Sequence, residues 1–394
     1  MRKMDEQLPL RSVDKLGRRL LQPVFFIVVM RILRLILVCG LRIIPLIVPS
    51  AADSENQLVI GARGSPLSVV QVDSVISALK NLYPRLNVKF AAIKTSGDSP
   101  EAKPQSGPGI KGMFVKEIDE ALISGRIDLS VHSAKDLPFE RPAQLTLGPI
   151  PKRAQALDVL VSAQNHTLDT LPVGAAIGTS SLRRRVQLLA YRGDLRILPI
   201  RGNIQTRLDK MSSSLQATVI AQAALDRLNI EPDYATPLSP EIMLPAPGQG
   251  LLAIEYRRDD DRLNALLAPL DHPPSRLALL AERAFMGRLQ AGCATPAAAW
   301  CRSEGDFFVM TALVSDPMGQ RVIKAQKSCP CAEPQKVEQM GMDLALSLID
   351  QGGEEILALC KNFDPQSLEQ KNLEQQNLDK KNFDQKNFDR GPNL

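Results

Sequence analysis

The sequence predicts an α/β protein in which two sets of strand–helix units precede a smaller mixed unit, and three observations predict it. From Leu58 to about Ile230, short apolar runs of strand length alternate with amphipathic stretches of helical spacing, the signature of parallel βαβ units. After Pro247-Gly248-Gln249-Gly250 the pattern changes to one apolar strand, one long helix and a short mixed segment. The hydroxyls, arginines and acids that break the apolar pattern fall just beyond strand ends, where open α/β sheets bind ligands.

Taken in order, Leu58–Ala62 reads as a strand. Ser65-Pro66 then supplies an N-cap and a proline at the first helical position. Leu67, Val70, Ser74, Ile76, Leu79 and Leu82 follow at roughly helical spacing, and Pro84 stops the helix. Val88–Ile93 is the next strand; Phe114–Ile123 reads as a helix closed by Gly125, and Ile127–Val131 as the strand after it. The second set begins near Val173, with strands around Ala175–Ile177, Leu195–Ile200 and Ala217–Ile220 and helices starting near Leu182, Ile204 and Ala223. Leu251–Glu255 is a further strand, Ser275–Leu289 a long helix, Phe307–Val314 and Arg321–Ala325 strands, and Val337–Ile349 a closing helix.

At 394 residues the chain is long enough for two or three domains with real cores. Aromatics at 4% weigh against base-stacking nucleic-acid modules, and a net charge of +5, with acids and bases mixed, gives no basic stripe. Nucleic acid is therefore not an expected partner. Six cysteines (39, 293, 301, 329, 331, 360) in a chain this long make no disulfide framework. Cys329-Pro330-Cys331 has no histidine near it, so no metal site is expected.

Both ends read as additions. Residues 24–48 are apolar, but Arg31, Arg34 and Arg42 break them short of the ~20 residues a spanning helix needs. A leader over 1–56, unstructured, is expected, with a membrane-surface helix or an export signal as alternatives and no firm membrane partner. Residues 362–394 carry a five-residue repeat, from Asn362-Phe363-Asp364 to Asn387-Phe388-Asp389, whose Gln, Lys and Asn filling cannot build a core. The expected domains are 57–151 with 251–268 as a first lobe, 155–245 as a second, and 273–361 as a third.

The motif Gly178-Thr179-Ser180-Ser181-Leu182-Arg183-Arg184-Arg185, followed by Ile200-Arg201-Gly202-Asn203-Ile204-Gln205-Thr206-Arg207, points to chemistry. Each half runs from an apolar strand into a turn rich in hydroxyls and arginines that opens a helix. Backbone N–H groups, hydroxyls and guanidinium forks then converge, as a carboxylate or phosphate site requires. Arg63 follows the first strand, and His132-Ser133-Ala134-Lys135-Asp136 ends another. Taken alone, that pentapeptide is a polar turn with a local Lys–Asp pair. An aspartate in a cleft otherwise filled by arginines has a second use, to stabilise a cation formed during reaction. Cys293 lies among small neighbours after the long helix, and the Pro/Gly/Ser-rich stretch from Ser96 to Gly112 is either a surface loop or a mobile lid.

In chain order, Ile60-Gly61-Ala62-Arg63-Gly64-Ser65-Pro66-Leu67, Lys111-Gly112-Met113-Phe114, His132–Asp136, Gly178–Arg184, Arg201-Gly202-Asn203, Gly248-Gln249-Gly250 and Ala281-Glu282-Arg283-Ala284-Phe285 leading to Gly292-Cys293 resemble the hydroxymethylbilane synthase (porphobilinogen deaminase) family over about residues 57–360. The resemblance implies two periplasmic-binding-protein-like (type II) lobes plus a small third α/β domain, in a cytoplasmic, monomeric transferase of haem biosynthesis. It implies head-to-tail joining of four porphobilinogens, with loss of ammonia, on a dipyrromethane primer held by Cys293 through a thioether. Arg63, Ser65, Arg201, Arg207, Arg227, Lys111 and Phe114 would then bind porphobilinogen and the growing pyrrole chain. Arg183, Arg184, Ser181, Ser133, Lys135 and Asp136 would hold the cofactor, and Asp136 and Lys135 would be catalytic. Gln155-Ala156-Leu157-Asp158-Val159 departs from the family's Asp-Pro-Arg-Asp-Ala run. The rival from another class is a two-lobed solute-binding protein for a small polyanion, which needs neither Cys293 nor Asp136.

Overall fold

The computed structural model describes residues 57–98, 115–212, 215–290, 295–330 and 333–361. The leader, the repeat tail, Lys111, Phe114, Cys293 and most of the lid stretch lie outside the described residues.

The first lobe begins with β1 (Leu58–Arg63), α1 (Pro66–Leu82) and β2 (Val88–Ile93). Helix α1 starts where its sequence dictates: the Ser65 hydroxyl accepts the Ser68 N–H at 3.3 Å, and Pro66 costs nothing at a position whose N–H has no helical partner. After α2 (Lys116–Ile123), β3 (Leu129–Ser133) and β4 (Leu145–Leu147), the chain crosses to the second lobe. There β5 (Asp158–Ser162), β6 (Ala176–Gly178), α3 (Leu182–Tyr191), β7 (Arg196–Leu198), α4 (Ile204–Asp209), β8 (Ala217–Ala221), α5 (Gln222–Leu228) and β9 (Ala235–Pro237) follow. The chain then returns to the first lobe as β10 (Leu252–Arg257) and α6 (Asp261–Leu267).

The two sheets share one topology. Their orders are β2-β1-β3-β10-β4 and β7-β6-β8-β5-β9, so the fourth strand of each arrives from the other lobe. These exchanged strands run antiparallel to both neighbours: β10 to β3 and β4, β5 to β8 and β9. A purely parallel reading of the sequence is corrected here. A chain that crosses between lobes enters the new sheet from the cleft end, opposite to the βαβ strands beside it. The result is two α/β lobes joined by two crossovers, 148–157 and 238–251.

The third unit is α7 (Pro273–Arg288), an antiparallel sheet of β11 (Ala297–Glu304), β12 (Phe307–Ser315) and β13 (Val322–Pro330), α8 (Pro334–Leu348) and α9 (Glu354–Lys361). Helix α7 starts two residues before the sequence expectation, because His272 Nδ1 accepts the Ser275 N–H at 3.3 Å and Pro273-Pro274 fit the first turn. Its apolar face, led by the fully buried Phe285, packs with Val337, Met340 and Leu344 of α8 over the sheet. Strand β11 lies outside the sequence expectation because Ala297-Ala298-Ala299 has little strand propensity; full pairing with β12 and burial hold it.

One buried carboxylate ties the third unit to both crossovers. Glu282 of α7 is fully buried and accepts from Arg153 Nη1 at 2.6 Å, from the Gly248 N–H and from the Cys301 N–H at 2.8 Å. Arg153 also donates to the Gln249 and Cys301 carbonyls, so the buried pair is satisfied on both sides.

Candidate active site

The site lies where strand ends of the two lobes meet at the crossovers. On the first lobe, β3 reaches Ser133, two residues beyond the sequence expectation, and Ala134–Asp136 then form one 3-10 turn. Lys135 and Asp136 therefore leave the strand in consecutive directions. Ser133 Oγ accepts Gln71 Nε2 of α1 at 2.8 Å. Arg63, Ser133 and Asp136 line one pocket, with Gln71 on its wall. A second pocket, between the lobes, is lined by Gln71, Ser133 and Lys135 from the first lobe, Arg227 from the second and Gln249 from the crossover.

Beneath the turn, His132 is buried and bonded through Nε2 to Ser130 Oγ at 2.8 Å. Burial, with the Arg141 guanidinium nearby, pushes the ring down to about 3, so it is neutral at pH 7. Its 3.5 Å approach to Glu255 is consequently not an ion pair. Glu255 is instead held by Arg141 at 2.8 Å, which also reaches Asp119.

On the second lobe the Ser181 hydroxyl caps α3 by accepting the Arg184 N–H at 3.4 Å. The Ser180 hydroxyl donates to the Ile200 carbonyl at 2.9 Å, which brings the turn carrying Arg201 beside that helix start. Asn203 caps α4, its side chain accepting the Thr206 N–H at 2.8 Å. Arg201 is exposed, and Arg207 is half-buried with Nε on the Gly202 carbonyl.

Arg183 and Arg184 are read from the sequence as open carboxylate forks, yet both are buried against Asp158 at the head of β5. Arg183 Nη2 meets Asp158 Oδ2 and Arg184 Nη2 meets Oδ1, each at 2.8 Å. Their remaining Nη groups donate to the Leu244 and Val219 carbonyls. Arg184 Nε is buried with no acceptor among the described residues. Burial alone would raise the Asp158 carboxyl; Arg183 and Arg184 overcome this and hold it well below the usual carboxylate range.

The crossover supplies what the sequence reading left without a role. Gln249 is 1% exposed. Its Oε1 accepts Lys135 Nζ at 3.3 Å, while its Nε2 donates to the Ala156 carbonyl at 2.7 Å and to Asp158 Oδ1 at 2.8 Å. Gly248 and Gly250 adopt φ of +76° and +84°. A Cβ on Gly248 would come within 2.9 Å of the Lys135 backbone nitrogen, and one on Gly250 within 2.6 Å of the Ala154 carbonyl oxygen. The turn must therefore be glycine on both sides of Gln249.

The assembled site is over-positive. Burial pushes Lys135 down to about 8, with Arg184 and Arg183 adding to the shift and Asp136 and Asp158 opposing it. Arg207 is lowered by burial and by Arg184, with Asp136 opposing, which places its charge within reach of both lobes. Arg227, lowered by burial, donates to the Gly250 carbonyl at 2.9 Å. Asp136 and Asp158 are the acids against this group of cations. A ligand bearing several carboxylates corrects that balance. A dipyrromethane, with an acetate and a propionate on each ring, fits it, and the unmatched Arg184 Nε is a donor at which one such carboxylate can end.

Comparison with known proteins gives the same direction. Residues 58–265 match the family described as porphobilinogen deaminase, dipyromethane cofactor binding domain, and residues 276–350 match its C-terminal domain. The chain is 43% identical over 305 residues to the porphobilinogen deaminase of Roseiflexus castenholzii, covering 77% of this chain and 99% of that one. It is likewise 43% identical over 306 residues to that of Nitratidesulfovibrio vulgaris, covering 77% and 96%. Among solved structures, the BenM effector binding domain with its effector benzoate is similar at 15% identity and a TM-score of 0.34, over 55% of this chain and 90% of that one.

Proposed function

As the chain belongs to the porphobilinogen deaminase family, we propose that it is a hydroxymethylbilane synthase. It joins four porphobilinogens head to tail, releases ammonia at each step and yields the linear tetrapyrrole hydroxymethylbilane. The observation that carries this reading is Asp136, an exposed carboxylate set among Lys135, Arg63 and Arg207 at facing strand ends. A passive polyanion binder would be weakened by that charge; a reaction that passes through a pyrrole cation uses it.

Arg63, Arg201, Arg207 and Arg227, with Ser65, bind the acetate and propionate groups of porphobilinogen and the growing chain. Lys111 and Phe114, outside the described residues, belong to the same substrate-binding set in this reading. Arg183, Arg184, Ser181, Ser133, Lys135 and Asp136 hold the cofactor, which is tethered to Cys293 by a thioether. When bound, the dipyrromethane supplies the electron-rich pyrrole to which the first substrate is joined. Asp136 faces the pyrrole N–H of the substrate, stabilises the cation left as ammonia departs and assists proton movement during coupling. Lys135 adds an ammonium beside it, which burial brings down to about 8.

Residues 57–151 with 251–268, 155–245 and 273–361 are the three domains of this reading, supported by one sheet in each. The enzyme of this reading is a monomer. Cys301 and Cys360 are free thiols, and among the described residues no helix is long and apolar enough to cross a membrane. The free thiols fit a reducing compartment, in keeping with a cytoplasmic enzyme. The test is incubation of the purified full chain with porphobilinogen. Ammonia release with hydroxymethylbilane formation is expected; binding without turnover would return the solute-binding reading.

A further inference from the structure

The crossover residue Gln249 touches the charged groups of both lobes at once, and nothing in the reaction as described above requires it to. Its two amide ends are used differently. The oxygen accepts from Lys135, on the turn that carries Asp136, and the nitrogen donates to Asp158, the acid that fixes Arg183 and Arg184. A hydrocarbon of the same length would fill the space without making either bond. The flanking glycines, lacking a Cβ, let the Gln249 backbone approach the Lys135 turn this closely.

We propose that Gln249 is a positioning residue that holds the Lys135 ammonium beside Asp136 and links it, across the crossover, to the Asp158–Arg183–Arg184 cluster of the second lobe. The amide orientation is fixed from the second lobe. With Nε2 committed to the Ala156 carbonyl and Asp158, only the oxygen can face Lys135. A carbonyl oxygen favours the charged form of a lysine, so Gln249 opposes the burial that works against it. The groups facing Lys135 are Asp136 on its own turn, Asp158 on β5, Arg183 and Arg184 on α3, and Arg227 on α5 across the shared pocket. Asp136 and Asp158 also favour the charge and Arg183 and Arg184 oppose it, so the neutral amide is the adjustable contact in an otherwise opposed set. Gln249 is thus set to act on the pH at which Lys135 changes charge, and through it on the reaction at Asp136.

This inference rests on the synthase reading for its use, and its test separates the two. Lys135 is titrated without turnover by competitive acetic anhydride labelling across pH 6–10, read by peptide mass spectrometry. In parallel the alkaline limb of the turnover profile is measured with porphobilinogen. In Gln249→Met the Lys135 midpoint should fall by about one unit, the loss of one hydrogen bond to a charged donor. The alkaline limb should fall with it. Gln249→Glu, which keeps an acceptor toward Lys135, should return both to the original value or above. An unchanged labelling midpoint in Gln249→Met overturns the proposal, whatever the activity. A shifted midpoint with an unmoved alkaline limb overturns it too, since Lys135 would then be held without consequence for turnover. If Gln249→Met does not fold, Gln249→Leu is read instead, with the same fall in the Lys135 midpoint expected and an unchanged midpoint refuting the link. A chain that shows the labelling shift but makes no product keeps the Lys135–Gln249 link and defeats the synthase reading.

Discussion

Replacing Asp158 by asparagine tests whether the arginine cluster is organised from inside the protein. Asp158 is completely buried and meets Arg183 and Arg184 at 2.8 Å each, and Gln249 Nε2 at the same distance. Asparagine keeps the shape and one acceptor oxygen but turns an NH₂ toward one guanidinium and removes the negative charge from both. Leaving a buried charge without its partner costs about 3–5 kcal/mol. Unfolding entropy near 2.1 cal/mol/K per residue, over the 305 residues shared with relatives, is about 0.64 kcal/mol/K, so the melting temperature should fall by roughly 5–8 °C. Calorimetry at pH 7 measures it. The pH dependence has a definite sign. The folded carboxyl titrates below its unfolded value of about 3.9, so its stabilisation is complete above that value and is lost as pH falls through the lowered folded one. The gap between the two proteins should stay constant from pH 7 to about pH 5 and close in stronger acid. A change under about 1 °C at pH 7, or a gap that widens in acid, would refute this reasoning.

Two further substitutions probe the cleft. Asp136→Asn should lower turnover by on the order of 10²–10³ while the melting temperature and cofactor content hold, because only the charge facing the developing cation is lost; steady-state kinetics with mass analysis reads both. Arg201→Leu should stall chain growth with a loss of about 1.5–3 kcal/mol in binding, seen as accumulated enzyme-bound intermediates, whereas unchanged intermediate populations would make Arg201 an ordinary surface charge.

Much of the fold is legible where the signal is local. Ser65-Pro66 marks the start of α1, Gly125 closes the turn after α2, and the apolar runs at 58–62, 88–93 and 217–220 are strands. What the sequence leaves out is set by contacts between distant segments. Asp158-Val159-Leu160-Val161-Ser162 is an ordinary apolar run, and its antiparallel place between β8 and β9 follows from a crossover that has no short-range signature. The site divides in the same way. Arg63, Ser133, Lys135 and Asp136 stand at strand or turn ends and line the two pockets, whereas Arg227, which lines the second pocket from α5, has no strand-end position to mark it. The partners of Arg183 and Arg184 could not be read from their own motif. Asp158 reaches them because β5 pairs with β8 so that Asp158 faces Ala221, at the end from which α5 departs. Gln249 shows the same limit, since Gly248-Gln249-Gly250 signals a tight turn but not the Lys135 and Asp158 on either side of it.

The thioether bond carries the account's central claim, and mass spectrometry tests it most directly. The intact, purified full chain should be heavier than its sequence by one dipyrromethane, and peptide mapping should place the addition on the fragment containing Cys293, with Cys301, Cys329 and Cys360 unmodified. Cys293→Ser should lose the thioether adduct while Cys301→Ser and Cys329→Ser keep it. An active enzyme whose Cys293 is unmodified would contradict the account.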